Sequence, residues 1–135
     1  IWDRKDIVLI EGDKTWTGYG NDLFDNARSI RRILCPTFNA YTKYDEILAS
    51  SRKVDKNCLI LIILGPAGKV LAYDLALEGY QVVDIGQIDM DYDWYRAGAG
   101  YKVPNPDKYV SQLPPSAVSE ITDDVYRQQV LFWIE

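Results

Sequence analysis

The apolar positions of this chain fall into two kinds of block. Ile7-Val8-Leu9-Ile10 is a short β-branched run that ends at Glu11-Gly12, and it reads as a buried strand. Cys58-Leu59-Ile60-Leu61-Ile62-Ile63-Leu64 is apolar throughout, the pattern of a parallel strand covered on both faces. Gly65-Pro66-Ala67-Gly68 breaks that run as a tight turn. A mostly apolar helix, Lys69–Glu78, is then expected, with Gly79 at the position where a left-handed residue closes a helix. Gln81-Val82-Val83-Asp84-Ile85 reads as a third strand. Strand, helix and strand in succession predict a right-handed crossover between parallel neighbours. The expected fold is therefore α/β: a Rossmann-like open, mainly parallel sheet with helices on both faces. It should contain Ile7–Ile10, Leu59–Leu64 and Val82–Ile85.

Other blocks repeat at helical spacing. Leu23, Ala27, Ile30 and Leu34 share one face of a helix expected to start at Asp22, capped by Asn21 or Asp22 and stopped by Pro36. Arg28, Arg31 and Arg32 would form its solvated side. A second helix is expected after Asn39, with Ala40, Tyr44, Ile47 and Leu48 on one face. A last helix, Val125–Ile134, would be capped by Thr122 or Asp123. Gly12 to Asn21 carries no apolar period and reads as a long loop, a feature that in a compact domain more often serves function than not. Pro104, Pro106, Pro114 and Pro115 mark an irregular spacer. Phe132-Trp133 suits either core or contact with a partner.

Length and charge narrow the classes. The 135 residues suit one domain. Fifteen Lys and Arg against twenty Asp and Glu leave a net charge of −5, which argues against nonspecific nucleic-acid or anionic-membrane binding. With no His, every triad or metal site that needs imidazole is excluded from this chain. Cys35 and Cys58 are too few for a disulfide framework and adjoin apolar runs, so both read as inert core in a reducing, cytoplasmic setting. No apolar run is long enough for a membrane span, and the start shows no secretory signal. The chain opens on Ile1 and not Met, which suggests a piece of a longer protein.

In open α/β sheets ligands sit beyond the carboxyl ends of the strands. Three segments should meet there: Glu11-Gly12-Asp13, the Gly65 to Gly68 turn, and Asp84 through Asp93. The Gly65 turn leads into a helix N-terminus, which suits a phosphate, or is simply a tight connection. Asp89, Asp91 and Asp93 alternate, so in an extended segment all three would point one way and suit Mg²⁺ or Mn²⁺. The other reading is a solvated acidic loop. Asn21 and Asp22 suit hydrogen bonding to a sugar or nucleotide, or plain helix capping.

Several stretches together resemble the bacterial GT-D-type glycosyltransferases. They are Glu11-Gly12-Asp13-Lys14, Gly18-Tyr19-Gly20-Asn21-Asp22-Leu23-Phe24, Arg31 to Pro36, Asn39-Ala40 and Tyr44 to Ile47. The resemblance resumes at Leu59 to Pro66, Val70 to Leu75, Gly79-Tyr80-Gln81, Asp84-Ile85-Gly86, Ile88-Asp89 and Tyr92 to Ala99. It covers about residues 7–100 in order. It implies a transferase using a nucleotide sugar, UDP-linked, with Mn²⁺ or Mg²⁺. Residues 1–135 would be one domain, with 1–100 as the nucleotide-sugar core and 101–135 as the Pro-rich spacer and C-terminal helix. The family's Asp-x-Glu motif matches Asp89 and Asp91, the expected metal ligands. Trp16 stands where the family loop carries an Arg, with Lys14 as the expected substitute, and Gln87 stands where it carries a His. An earlier Arg-Phe-Gly-Asp-Gly-Glu segment of the family has no counterpart, so the chain resembles the C-terminal portion of a catalytic domain.

The resemblance implies hexose transfer to a glycan or glycoprotein acceptor in surface-polysaccharide or protein glycosylation. Asp93 is the expected base, with Glu11 and Asp13 as alternatives. Gly12, Lys14, Asn21, Asp22, Gly65, Pro66 and Asp84 are the expected donor-binding residues. The expected partners are the nucleotide sugar, the acceptor, and a missing N-terminal segment or an oligomer partner. Two rivals stand beside this reading: a noncatalytic sugar-nucleotide-binding or interaction module, and an α/β hydrolase of phosphate esters using the Asp cluster.

Overall fold

The computed structural model describes residues 1–110, 113 and 122–135. Among them, five strands form one sheet in the order β4-β3-β1-β2-β5, and every neighbouring pair is parallel. The strands are β1 (Asp6–Gly12), β2 (Ser29–Cys35), β3 (Leu59–Ile63), β4 (Gln81–Asp84) and β5 (Val130–Trp133). The helices are α1 (Tyr44–Ser51), preceded by a 3-10 turn at Ala40–Lys43, then α2 (Gly65–Leu77), α3 (Ile88–Arg96) and α4 (Asp124–Gln129).

The expectation of a parallel sheet with β3 inside it holds: Ile7 pairs with Leu59 and Ile60 with Val82. β1 and β3 are apolar throughout because both of their faces are covered. Val8, Ile10, Ile60 and Ile62 point into a core closed by Ile47 of α1 and Leu71 and Leu75 of α2. Ile7, Leu9, Leu59 and Leu61 point the other way, against Phe24, Trp2 and Leu23. Each such side chain contributes about 1.5–3 kcal/mol of burial. Helices α1 and α2 cover the first face; the irregular segment 13–28 and α4 cover the second. Gly79, at φ 87°, ends α2 as expected, and Tyr80 N–H reaches back to Leu75 O at 3.1 Å.

Three expectations are corrected. No helix runs from Asp22 to Leu34. Residues 22–28 form turns and Ser29–Cys35 is a strand in register with β1. Leu23, Ala27 and Ile30 still gather on one cluster, but as a turn and a strand start. The period-two signal of β2 is hidden by Arg32, which is no solvated residue: it is 3% exposed and ion-paired with Glu11. Arg28 is solvated as expected, its side chain 67% exposed while it pairs with Asp6. The last helix stops at Gln129, and Val130–Trp133 pairs as a strand with β2. Asp123 does cap α4, accepting from Tyr126 N–H at 2.8 Å. Phe132 packs on the core while Trp133 is exposed. The tight turn expected at Gly65–Gly68 is the first turn of α2, so the helix starts four residues earlier than the apolar pattern suggested. Pro104 and Pro106 lie in irregular chain; Pro114 and Pro115 lie outside the described residues.

Glu11, fully buried at the end of β1, ties the second face together. Its Oε1 takes bonds from Arg32 Nη1 and, at 3.0 Å, from Tyr126 Oη; its Oε2 takes Thr17 N–H at 2.7 Å. Arg32 also donates to Thr17 O at 2.9 Å and lies 4.0 Å over the Tyr126 ring. Breaking such a pair strands a buried charge, so Glu11→Gln should lower stability by about 3–5 kcal/mol in urea unfolding. Glu11→Gln combined with Arg32→Met should recover much of that loss. An additive double variant would show that the two residues act separately.

Candidate functional site

The chain leaves β1 toward one face and reaches β3 by way of the other. The strand order therefore reverses between β1 and β3, the place where open α/β sheets leave a crevice. A cavity of about 560 Å³ lies there, beyond the carboxyl ends of the strands. Gly12 forms its floor from β1. A Cβ at that position would stand 2.9 Å from Thr15 Oγ1 and 3.0 Å from Thr37 Cα, so only glycine lets the loops close up. Thr37, Asn39 and Tyr41 come from the connection after β2, with Asn39 in the left-handed region at φ 53°.

Gly65, Pro66 and Ala67 line the cavity from the first turn of α2. No side chain caps that helix. Its first N–H donors, Pro66 having none, and the positive end of its dipole are thus available to an anion. Lys69 and Asp84 face the same space, 3.2 Å apart. Asp84 also accepts Gly86 N–H at 3.0 Å.

The acidic run is not extended but forms α3. Helical geometry puts Asp89 and Asp93 on one face and turns Asp91 to another, where it is exposed. Asp89 is 3% exposed. Its Oδ1 accepts from Gly18 N–H and Asn21 Nδ2, both at 2.8 Å, and its Oδ2 from Lys108 Nζ at 2.8 Å. Burial raises the Asp89 pKa above the usual carboxylate value, with Lys108, Asn21 and Gly18 pulling against it. Asp93 is bonded to Asn21 Nδ2 at 2.8 Å and to Lys108 at 3.2 Å. The Mn²⁺ or Mg²⁺ expected on Asp89 and Asp91 does not fit this arrangement. The two carboxylates diverge, and Asp89 already faces an ammonium and two N–H donors. Among the described residues no group of three or more Asp, Glu or Cys is gathered for a metal ion.

The cavity thus brings together Gly12, Gly65, Pro66, Asp84 and Asp89 of the expected residues. Glu11 is committed to Arg32 and Tyr126. Asp13 accepts Thr37 Oγ1 at 2.6 Å and is not on the cavity wall. Lys14 is exposed beside it. Asn21 is held by the α3 carboxylates, and Asp22, capping no helix, bonds Tyr92 and Arg96 at the surface. Trp16 is buried against Leu34 and Tyr126 and does not line the cavity, so an Arg in its place would be buried among apolar groups. Gln87 does line it. Cys35 is fully buried, its thiol pushed up to about 12 by burial, which fits the inert reading. Thr37, Tyr41, Tyr109 and Lys108 were not anticipated. Each lies in irregular chain or a single helical turn, where periodicity carries no signal.

The α3 geometry makes two measurable statements. Asp91→Asn should leave stability within about ±0.5 kcal/mol, as for an exposed side chain. Asp89 has a folded pKa above its unfolded value of 3.8. Its stabilising contribution is therefore fully present below 3.8 and lost as pH rises through the folded pKa. Urea unfolding from pH 7 downward should show wild type gaining on Asp89→Asn. A constant gap would mean that burial does not perturb this carboxyl.

Comparison with known proteins bears on this geometry. Residues 1–113 match the family model described as the glycosyltransferase GT-D fold. A probable glycosyl transferase Gly of Streptococcus gordonii is 44% identical over 132 residues, 97% of this chain and 19% of that protein. The glycosyltransferase GlyD of Streptococcus pneumoniae serotype 4 is 39% identical over 132 residues, 97% of this chain and 16% of that protein. A solved domain of unknown function described as having a distinct glycosyltransferase fold superposes with a TM-score of 0.95 at 42% identity, over 99% of this chain and 49% of that one. A structure described as a new glycosyltransferase from Streptococcus sanguinis gives 0.94 at 42%, over 99% and 50%. The chain spans about half the length of those solved chains and under a fifth of the curated relatives. With more than four-fifths of its residues matched and the solved folds superposing throughout, the chain belongs to the GT-D glycosyltransferase-fold family.

Proposed function

We propose that this chain is the nucleotide-sugar-binding part of a hexosyltransferase. It would take a UDP-linked hexose and serve transfer to a hydroxyl of a glycan or glycoprotein acceptor, in the cytoplasmic assembly of bacterial surface polysaccharide or glycoprotein. The observation that carries the reading is the cavity at the β1–β3 reversal, open to the uncapped N-terminus of α2, in a fold shared with glycosyltransferases. Transfer breaks the bond between the anomeric carbon and the diphosphate, so the site must hold developing negative charge on the leaving group. The first-turn N–H groups of α2 and the Lys69 ammonium are the positive groups on that wall. Asp84, which already accepts from Gly86 N–H and Lys69 Nζ, would offer a remaining lone pair to a donor hydroxyl. Asp93, the expected base, does not line this cavity. Both Asp93 oxygens are bonded, one to Asn21 and one to Lys108.

One observation favours the noncatalytic module as a second reading: the expected base Asp93 is bonded through both oxygens, to Asn21 and to Lys108. Calorimetric titration of UDP and UDP-glucose separates the cases, followed by product analysis with and without acceptor. Transfer only in the presence of acceptor supports the transferase. Binding without turnover supports the module, and acceptor-independent release of sugar or phosphate supports a hydrolase. Lys69→Ala should weaken UDP binding about tenfold, the worth of one hydrogen bond to a charged group. With Asp89 and Asp91 diverging, chelator should leave UDP affinity unchanged. Restoration of lost affinity by Mn²⁺, abolished in Asp91→Asn, would return the metal to that pair.

A further inference from the structure

Segment 101–110 has no regular secondary structure, yet it contains the bulkiest fully buried side chain among the described residues, Lys108 at 2% exposed. An ammonium at that depth is tolerable only when it is paired and hydrogen-bonded. Lys108 Nζ lies 2.8 Å from Asp89 Oδ2 and 3.2 Å from Asp93 Oδ2. Asn21 Nδ2 bridges the remaining oxygens of the same two carboxylates. Asp89 and Asp93 are like charges one helical turn apart and would repel without a cation between them. Lys108 is that cation, and it comes from a different part of the chain.

Three further contacts fasten the same segment. Tyr109 N–H donates to Lys14 O at 2.8 Å, Trp94 Nε1 to Val103 O at 2.9 Å, and the Tyr109 ring meets Phe38 edge-on at 5.1 Å. The two residues directly after Lys108, Tyr109 and Val110, line the cavity. A side chain sunk into α3 therefore sets where the next two residues stand.

We propose that Lys108 is a positioning residue, an internal cation that latches the 101–110 strap onto Asp89 and Asp93 of α3 so that Tyr109 and Val110 form a wall of the ligand cavity. The latch itself follows from the contacts; only the identity of the occupant, a nucleoside diphosphate, rests on the donor-site reading above. The same arrangement accounts for an acidic run with metal-like spacing whose inward carboxylates are already neutralised.

Hydrogen–deuterium exchange on the 135-residue chain, with and without UDP, tests the proposal. In wild type the Tyr109 amide should be protected, and UDP should slow strap exchange further. In Lys108→Met the strap should exchange about tenfold faster or more while β1 and β3 amides keep their rates, and UDP affinity should fall about tenfold. Asp93→Asn removes one of the two carboxylates and should give a smaller change in the same direction; it decides the matter if Lys108→Met does not fold. Unchanged strap exchange in a folded variant overturns the latch. Faster exchange with unchanged UDP affinity overturns the role of the strap as a wall. Failure of wild type to bind UDP sinks the donor reading, and the exchange rates without ligand then decide the latch alone.

Discussion

The burial of one carboxylate organises the half of the molecule that lacks long helices. Glu11 sits at the end of the middle strand with no exposed surface, where an unpaired charge would be prohibitive. Its partners come from three places: Thr17 in the loop after β1, Arg32 in β2, and Tyr126 in α4. Each is fixed in position because the carboxylate must be satisfied. The loop that folds over the second face of the sheet is thus anchored near its start, and Gly18, one residue on, delivers its N–H to Asp89. The Tyr126 hydroxyl, buried against the same carboxylate, keeps its proton well beyond the usual phenol range. The network is one of constraint more than of energy, since ion pairs at depth return little beyond their own desolvation.

That constraint positions the cavity. The first face is ordinary α/β packing, in which α2 approaches so closely that a Cβ at Gly68 would stand 2.8 Å from the Ile62 side chain. The cavity opens where this tightly packed face meets the loop-covered one. One wall, the first turn of α2, is regular helix and carries partial positive charge. Another wall, Tyr109 and Val110, is irregular chain held by the buried Lys108 ammonium, by the bond of Tyr109 N–H to Lys14 O and by the Tyr109–Phe38 ring contact. A helical anion-facing side and a separately fastened loop side thus meet at one cavity.

Much of the sheet was legible because β1 and β3 are buried on both faces, and continuous apolar runs such as Leu59–Ile63 admit few other readings. β2 was not. Its inward positions include Arg32, whose burial depends on a carboxylate twenty-one residues away, and no local pattern announces that. The strand at Val130–Trp133 was hidden for a related reason. It follows α4 with no intervening turn residue, so the apolar positions of Val125–Ile134 blend two periods. At the site, the glycines, Pro66 and Asp84 were readable because strand ends and helix starts have local signatures. Lys108 and the splitting of Asp89, Asp91 and Asp93 were not. Charged residues look alike in sequence whether they face water or one another, and the run carries no marker that separates an extended loop from a helix.

The place of β5 in the sheet bears on how the chain reaches its folded state. β5 pairs with β2 across about a hundred residues, and α4 brings Tyr126 to Glu11 over a separation of 115. Contacts this distant in sequence are slow to form and cannot form at all until the last residues are available. During synthesis, β1, β3, α2 and β4 are made first and hold a largely local crossover, while one edge of β2 and the buried carboxylate still wait for their partners. Closing the second face thus rests on contacts of far higher sequence separation than the crossover that builds the first. The segment 124–133, and not the strands before it, completes the interior around Glu11 and the outer edge of β2.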